Sequence, residues 1–301
     1  MLLKKVPKKK LAPKKAAITF FRPQIRSQHP SHEHLRGTLV RTKSRVVVRL
    51  GSTTTLKEVY AKKNLTPFQL ERVIEVNSVQ SIKNSASKLL MKECFTRENV
   101  KTAAWIGGAN NTVNNVLNWA TDRYPVIAKH IHGSRGEGNY KLDIFEQLQA
   151  WFNGKTLANY IFEEFHNYNR EYRLHVTKDG CFYTCRKMLK EGTPEANRWY
   201  RNDTNSAWIL EQNADFDKPV NWNDIVAECV KALNAVGLDI GGFDVKVQSR
   251  LDGRDRPRQN PEFIIIESNS ACSHGDITAV KYREELNKVI ASKLNGGNNR
   301  G

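Results

Sequence analysis

The sequence predicts an α+β protein in which strands meet as antiparallel neighbours and helices stand apart from them. Strand-length runs of β-branched and aromatic residues recur from Val46 to Ile266, and the tight turn Lys178-Asp179-Gly180 joins two of them directly. Between Trp222 and Val236, Ile225, Cys229, Val230, Leu233 and Val236 recur at helical spacing, and Gly237 stops the run. The chain has 301 residues, 39% of them hydrophobic and 26% charged, enough to bury a core without disulfide staples.

Residues 1–37 are expected to be a basic, largely disordered arm. Seven lysines fall within residues 1–15, together with Pro7 and Pro13, and this composition has no apolar face to bury. His29, His32 and His34 lie in a polar stretch without cysteine partners and read as surface. Order is expected from about Leu39, opening a short N-terminal subdomain over 38–84. Within it Val46–Leu50 reads as a strand ended by Gly51, and Pro67–Val76 as a short helix, alone or followed by a strand. The main domain is expected over 85–292, with a smaller lobe at about 112–188. Helices are predicted at Ser85–Cys94, with Leu89, Leu90 and Cys94 turned to a core, and at Thr112–Ala120, Asp143–Asn153, Trp222–Val236 and Lys281–Leu294. Strands are predicted at Tyr124–Ile131, Ile161–Phe165, Tyr172–Thr177, Cys181–Met188, Phe243–Val247 and Phe263–Ile266. Residues 293–301 read as a flexible tail.

The net charge is +17, with +13 in residues 1–50 and +4 in the remainder. The body is therefore nearly balanced, and the arm is what could meet nucleic acid or another acidic partner. No run approaches the roughly 20 apolar residues of a membrane span. The start lacks the apolar core of a secretory signal. Five cysteines without a CxxC pair suit free thiols in a reducing cytoplasm.

Three clusters carry chemistry. Lys129 interrupts an apolar strand that runs into Gly133-Ser134-Arg135-Gly136-Glu137-Gly138. A lysine there needs an anion or an outlet to water, and the glycines let backbone N–H groups approach phosphate oxygens. The spacing is neither a P-loop nor a dinucleotide fingerprint. The second cluster is Asp244 on one strand with Glu267 and Asn269 ending the next. A hairpin centred near Asp255 and Arg256 sets Asp244 opposite Glu267, and the i, i+2 rule puts Asn269 on the same face. Two carboxylates and an amide oxygen suit Mg²⁺ or Mn²⁺ shared with substrate phosphates. The third cluster comprises Arg173, Arg186, Lys187, Arg198 and Arg201, cations along one sheet and its following loop that could bind phosphoryl oxygens.

In order, these pieces resemble the ATP-grasp superfamily over roughly residues 75–292: a helix with Lys88, the Lys129 strand, the glycine loop, Glu163-Glu164-Phe165, Glu171-x-Arg173, Gly242-Phe243-Asp244, then Glu267-x-Asn269. The nearest patterns are the ribosomal-protein glutamate ligases and small phage-encoded ATP-grasp proteins; D-alanine–D-alanine ligase is a more distant version. The resemblance implies two small α+β lobes sandwiching ATP, in a bacterial or phage-infected cytoplasm. It implies that Lys88 and Lys129 contact the ATP, and that Gly133 to Gly138, with Ser134, Arg135 and Gly136, fold over its β- and γ-phosphates. Glu163, Glu164, Phe165 and His166 would form the hinge that reads adenine through backbone groups, and Glu171 would accept from the ribose. Asp244, Glu267 and Asn269 would hold Mg²⁺, leaving Arg173, Arg186, Lys187 and Arg198 for the transferred phosphoryl group or an anionic substrate.

The implied reaction joins a carboxylate to an amine through an acyl phosphate, releasing ADP and phosphate. Either substrate could belong to a peptide or another macromolecule. A kinase on the same fold, or a nucleic-acid-binding scaffold with a vestigial ATP site, are the alternatives. The chain departs from the family in a short N-terminal lobe and in the arginine-rich hairpin tip Arg250–Arg258, and both departures bear on the substrate rather than on ATP.

Overall fold

The computed structural model describes residues 18–21, 44–108, 111–133, 136–202, 204–272 and 276–297. The expected arm falls largely outside the described residues, as do His29, His32, His34, Ser134 and Arg135.

The N-terminal subdomain begins earlier than its composition suggests. β1 (Ile18–Phe21) pairs in parallel with β2 (Val46–Arg49), and β2 with β3 (Ile74–Val76), so the first strand lies inside the stretch expected to be disordered. The run Ile18-Thr19-Phe20-Phe21 is too short to stand out by periodicity, and parallel pairing brings in a strand distant in sequence. Two short helices follow β2: α1 (Leu56–Val59) and α2 (Pro67–Glu71), each opened by a threonine capping box. Val47, Tyr60 and Val73 pack on one face of this sheet. On the other face, Val46, Val48 and Val76 meet Tyr282, Leu286 and Ile290 of α8 (Asp276–Gly297). Asn77 ties the subdomain to the main domain: its amide donates to Arg49 O and Ile240 O, and its Oδ1 accepts from the N–H groups of Asp239 and Ile240.

The expected helix from Ser85 is two helices, α3 (Val79–Ala86) and α4 (Lys88–Arg97), with Ser87 capping the second. The break changes the buried face: Met91, Cys94 and Phe95 enter the core, while Leu89 and Leu90 are only half-buried.

The smaller lobe is a four-stranded antiparallel sheet in the order β4 (Trp105–Gly107), β7 (Tyr160–Glu164), β5 (Val126–His130), β6 (Asn139–Leu142). α5 (Val113–Ala120) and α6 (Phe145–Trp151) cover one face, enclosing Val126, Ala128, Leu148, Trp151 and Phe162. Its strands span 105–164, not 112–188, because β8 (Arg170–Thr177) and β9 (Gly180–Leu189) pair elsewhere. Those two join a five-stranded antiparallel sheet in the order β10 (Ser206–Leu210), β9, β8, β11 (Ile240–Val247), β12 (Phe263–Asn269). α7 (Trp222–Val236) covers its inner face and buries Ile225, Cys229, Leu233 and Val236 against Tyr172, Leu174, Phe243 and Val245. All five cysteines are free thiols.

Candidate active site

Strand alternation decides which side chains reach the cleft between the lobes. Phe243, Val245 and Val247 face α7, so Gly242, Asp244 and Lys246 face the other way. The register places Arg173 and Glu171 of β8 beside Asp244 and Lys246, and Cys185 and Lys187 of β9 beside those. Trp208 of β10 lies beside Lys187. On β12, Glu267 lies opposite Asp244 and Asn269 opposite Gly242, as the hairpin reading required. A β-bulge follows Asp244, and beyond it the ladder resumes shifted by one residue, with Val245 opposite Ile265. In the small lobe, Val126, Ala128 and Phe162 face inward, which leaves Lys129 and Glu163 on the cleft face.

Asp244 is engaged on both oxygens by Arg173, at 2.5 Å from Nε and 2.7 Å from Nη2. Burial opposes the Arg173 charge, but the Asp244 carboxylate outweighs it and holds the guanidinium well above its ordinary pKa. Arg173 and Lys187 also lie 4.9 and 5.1 Å from the Trp208 ring centre. Glu267 is more open and has Lys88 Nζ at 3.6 Å. The Asn269 Nδ2 is buried without a hydrogen-bond partner. Among the described residues no three His, Cys, Asp or Glu side chains converge. An ion here would therefore rest on two carboxylates and one amide, with further oxygens from a ligand. Two carboxylates and the Asn269 amide oxygen are hard oxygen donors that fit a divalent cation of that kind, while the unpaired Asn269 Nδ2 is a donor for an oxygen of a ligand.

Glu163 is engaged through its side chain, whereas the role expected of it was through the backbone. Its side chain is buried and takes Lys129 Nζ at 2.7 Å and Lys92 Nζ at 3.3 Å. Burial raises the carboxyl pKa, but the two ammonium groups overcome this and hold it down to about 2. The N–H groups of Glu164 and Phe165 are already given to Ala104 O and Pro125 O, so neither is open to a base. The Phe165 ring instead has ammonium groups near it, Lys141 at 5.2 Å and Lys246 at 5.6 Å from its centre. His166 stacks tilted on Tyr168. Glu171 is buried with Arg201 Nη1 at 3.6 Å. Burial draws the Lys246 ammonium down to about 8, with Glu171 opposing that fall.

Glu171, Arg173, Lys187, Asp244, Glu267 and Asn269 thus share one face of the large sheet, Lys129 and Glu163 share one face of the small sheet, and Lys88 reaches Glu267. Lys88 also donates to Gly133 O, bridging the large lobe to the glycine loop. At Gly138, φ is +73° and an added Cβ would stand 2.9 Å from the His130 Cβ; at Gly133 it would stand 2.5 Å from Glu137 O. Gly136, with φ +83°, lies under the Tyr200 ring.

Two expected residues fall outside. Arg186 follows the alternation to the opposite face, over the Tyr172 ring and 3.6 Å from Asp217. Arg198 is half-exposed and paired with Glu195 and Thr193 O. The loop cation in the cleft is Arg201. Lys92, Lys246 and Trp208 were not expected. Lys92 lies one helical turn from Lys88 and Lys246 two strand positions from Asp244, so face-sharing rules could have found both.

No family model matches the chain, and no curated protein matches it. Among solved structures it is similar to carboxyaminoimidazole ribonucleotide synthase from Aspergillus clavatus complexed with ATP, at 16% identity and a TM-score of 0.52, covering 75% of this chain and 53% of that one. It is similar to biotin carboxylase from Campylobacter jejuni at 15% identity and a TM-score of 0.56, covering 81% and 54%. It is similar to D-alanine–D-alanine ligase from Bacillus anthracis at 11% identity and a TM-score of 0.56, covering 85% and 82%. The chain spans about half the length of the first two. These likenesses define a class by architecture: the chain has the ATP-grasp fold, two α+β lobes with a cleft between them. No helix among the described residues is long and apolar enough to cross a membrane.

Proposed function

We propose that this chain is an ATP-dependent carboxylate–amine ligase, nearest in motif order to the ribosomal-protein glutamate ligases and small phage-encoded ATP-grasp proteins. The carrying observation is Lys88, whose Nζ lies 3.6 Å from Glu267 beside Asp244 and also donates to Gly133 O, tying the acidic strands of the large sheet to the glycine loop that follows Lys129. Lys88, Lys92, Lys129, Arg173, Lys187, Lys246 and Arg201 outnumber Glu163, Glu171, Asp244 and Glu267, an imbalance that suits a polyanion.

Lys88 and Lys129 bind the triphosphate from two sides, and Glu171 orients the ribose once Arg201 yields it. Asp244, Glu267 and Asn269 would hold Mg²⁺ or Mn²⁺, which supplies charge neutralisation at the phosphates when bound. The γ-phosphoryl passes to a substrate carboxylate, ADP leaves, and an amine displaces phosphate from the acyl phosphate to form the amide. Arg173 and Lys187 stabilise the charge on the transferred group. No side-chain nucleophile is needed. The two substrates are small molecules or the ends and side chains of a peptide.

The test follows ADP release against a panel of carboxylates and amines, with Asp244→Asn and Glu267→Gln beside the wild type. Amide in the product with loss of turnover in both variants is the expected result. Full activity in both variants refutes the metal assignment, and a phosphoester product makes the enzyme a kinase.

A further inference from the structure

Lys92 has no exposed surface, lies on the large-lobe helix α4, and sends its ammonium across to a small-lobe carboxylate. Nζ donates to Thr102 Oγ1, which donates to Ile265 O of β12 at 2.8 Å, so its base is anchored in the large lobe. Its other contact is Glu163 Oε1, while Glu163 Oε2 takes Lys129. The charged groups that act on it are Glu163 from β7 and Lys129 from β5.

A pair of Lys129 and Glu163 alone would be neutral. An ammonium locked to a buried carboxylate attracts a phosphate weakly, because the carboxylate repels what the ammonium attracts. A third, positive group on the far oxygen restores a net charge of one to the cluster without touching any ligand.

We infer that Lys92 is a positioning residue of the nucleotide site: by drawing on Glu163 from behind, it leaves the Lys129 charge available to a triphosphate. This rests on the proposed ATP site. It predicts an effect through Glu163, so removing Lys92 should matter only while Glu163 carries its charge.

The experiment measures binding of Mg-ATP and of inorganic tripolyphosphate to the full chain by calorimetry. It compares wild type with Lys92→Met, Glu163→Gln and the double variant, and records KM and kcat for ADP release. Lys92→Met should weaken both ligands roughly tenfold, the effect of one unscreened charge in a partly buried site. KM should rise while kcat changes less than about twofold. Adding Glu163→Gln to Lys92→Met should restore affinity to within about threefold of wild type. If Lys92→Met does not fold, Glu163→Gln and the double variant are compared directly: without the Glu163 carboxylate the buried Lys92 loses the partner that keeps it charged, so the two should differ less than about threefold. Unchanged affinity in Lys92→Met, or a double variant no better than the single, overturns the role of Lys92 and leaves the ATP site standing. A wild type that binds neither ligand overturns both.

Discussion

Replacing Asp244 by asparagine should destabilise the nucleotide-free protein as well as abolish turnover. Asp244 and Arg173 are joined by two hydrogen bonds of 2.5 and 2.7 Å, with side chains only 7% and 16% exposed. Removing one partner of a buried ion pair costs about 3–5 kcal/mol, because the other charge stays buried and unpaired. Here the asparagine oxygen still accepts one bond and the arginine keeps some access to water, so the lower end, about 3 kcal/mol, applies. For a domain of this size that is a fall in Tm of about 6–12 °C. Thermal unfolding followed by circular dichroism at pH 7 without nucleotide reads it. Arg173→Met combined with Asp244→Asn removes both charges and should regain more than half of the loss, with turnover still absent. A single variant that unfolds within about 2 °C of wild type refutes the claim that this pair holds the sheet face together.

Three further outcomes follow from the same geometry. Glu163 is held at about 2 against an ordinary 4.5, so its contribution is fully present above pH 4.5 and is lost as the pH falls towards 2. The difference in unfolding free energy between wild type and Glu163→Gln, about 3 kcal/mol by linkage, should shrink over that window; a gap that stays constant down to pH 2.5, where roughly three quarters of it should be gone, contradicts the buried triad. Gly242→Ala drives a methyl group onto Cys272 Sγ and within 3.4 Å of His175 Nδ1, so denaturant titration should show a loss of about 1–3 kcal/mol. Arg198→Ala should leave the KM for ATP within about twofold while Arg201→Ala changes it by more, because only Arg201 reaches the Glu171 carboxylate; equal effects would mean the loop lies otherwise in solution.

Local chemistry made much of this readable. The α7 helix was set by its apolar spacing and by Gly237, which takes the left-handed conformation at its end. The pairing of Asp244 with Glu267 followed from hairpin arithmetic, since an antiparallel turn ties the two strands to one centre. The β1 strand, in contrast, is four residues long and gains its place by pairing with a strand about 28 positions away, which no local pattern encodes. Arg186 and Lys187 are adjacent and alike in type, and only the face of β9 separates a cleft residue from one behind the sheet.

Residue type and order alone determined that this chain carries a glycine loop, a lysine in an apolar strand and a hairpin bearing Asp244 and Glu267, the parts from which the proposed site is built. Tertiary structure decided which cations serve it. Lys92, Arg201 and Lys246 come from a helix, a loop and a strand remote in sequence, and they meet Glu163, Glu171 and one another only when the sheets close on the cleft. Charge–charge interaction depends on distance and burial, and folding sets both across elements that sequence spacing leaves far apart.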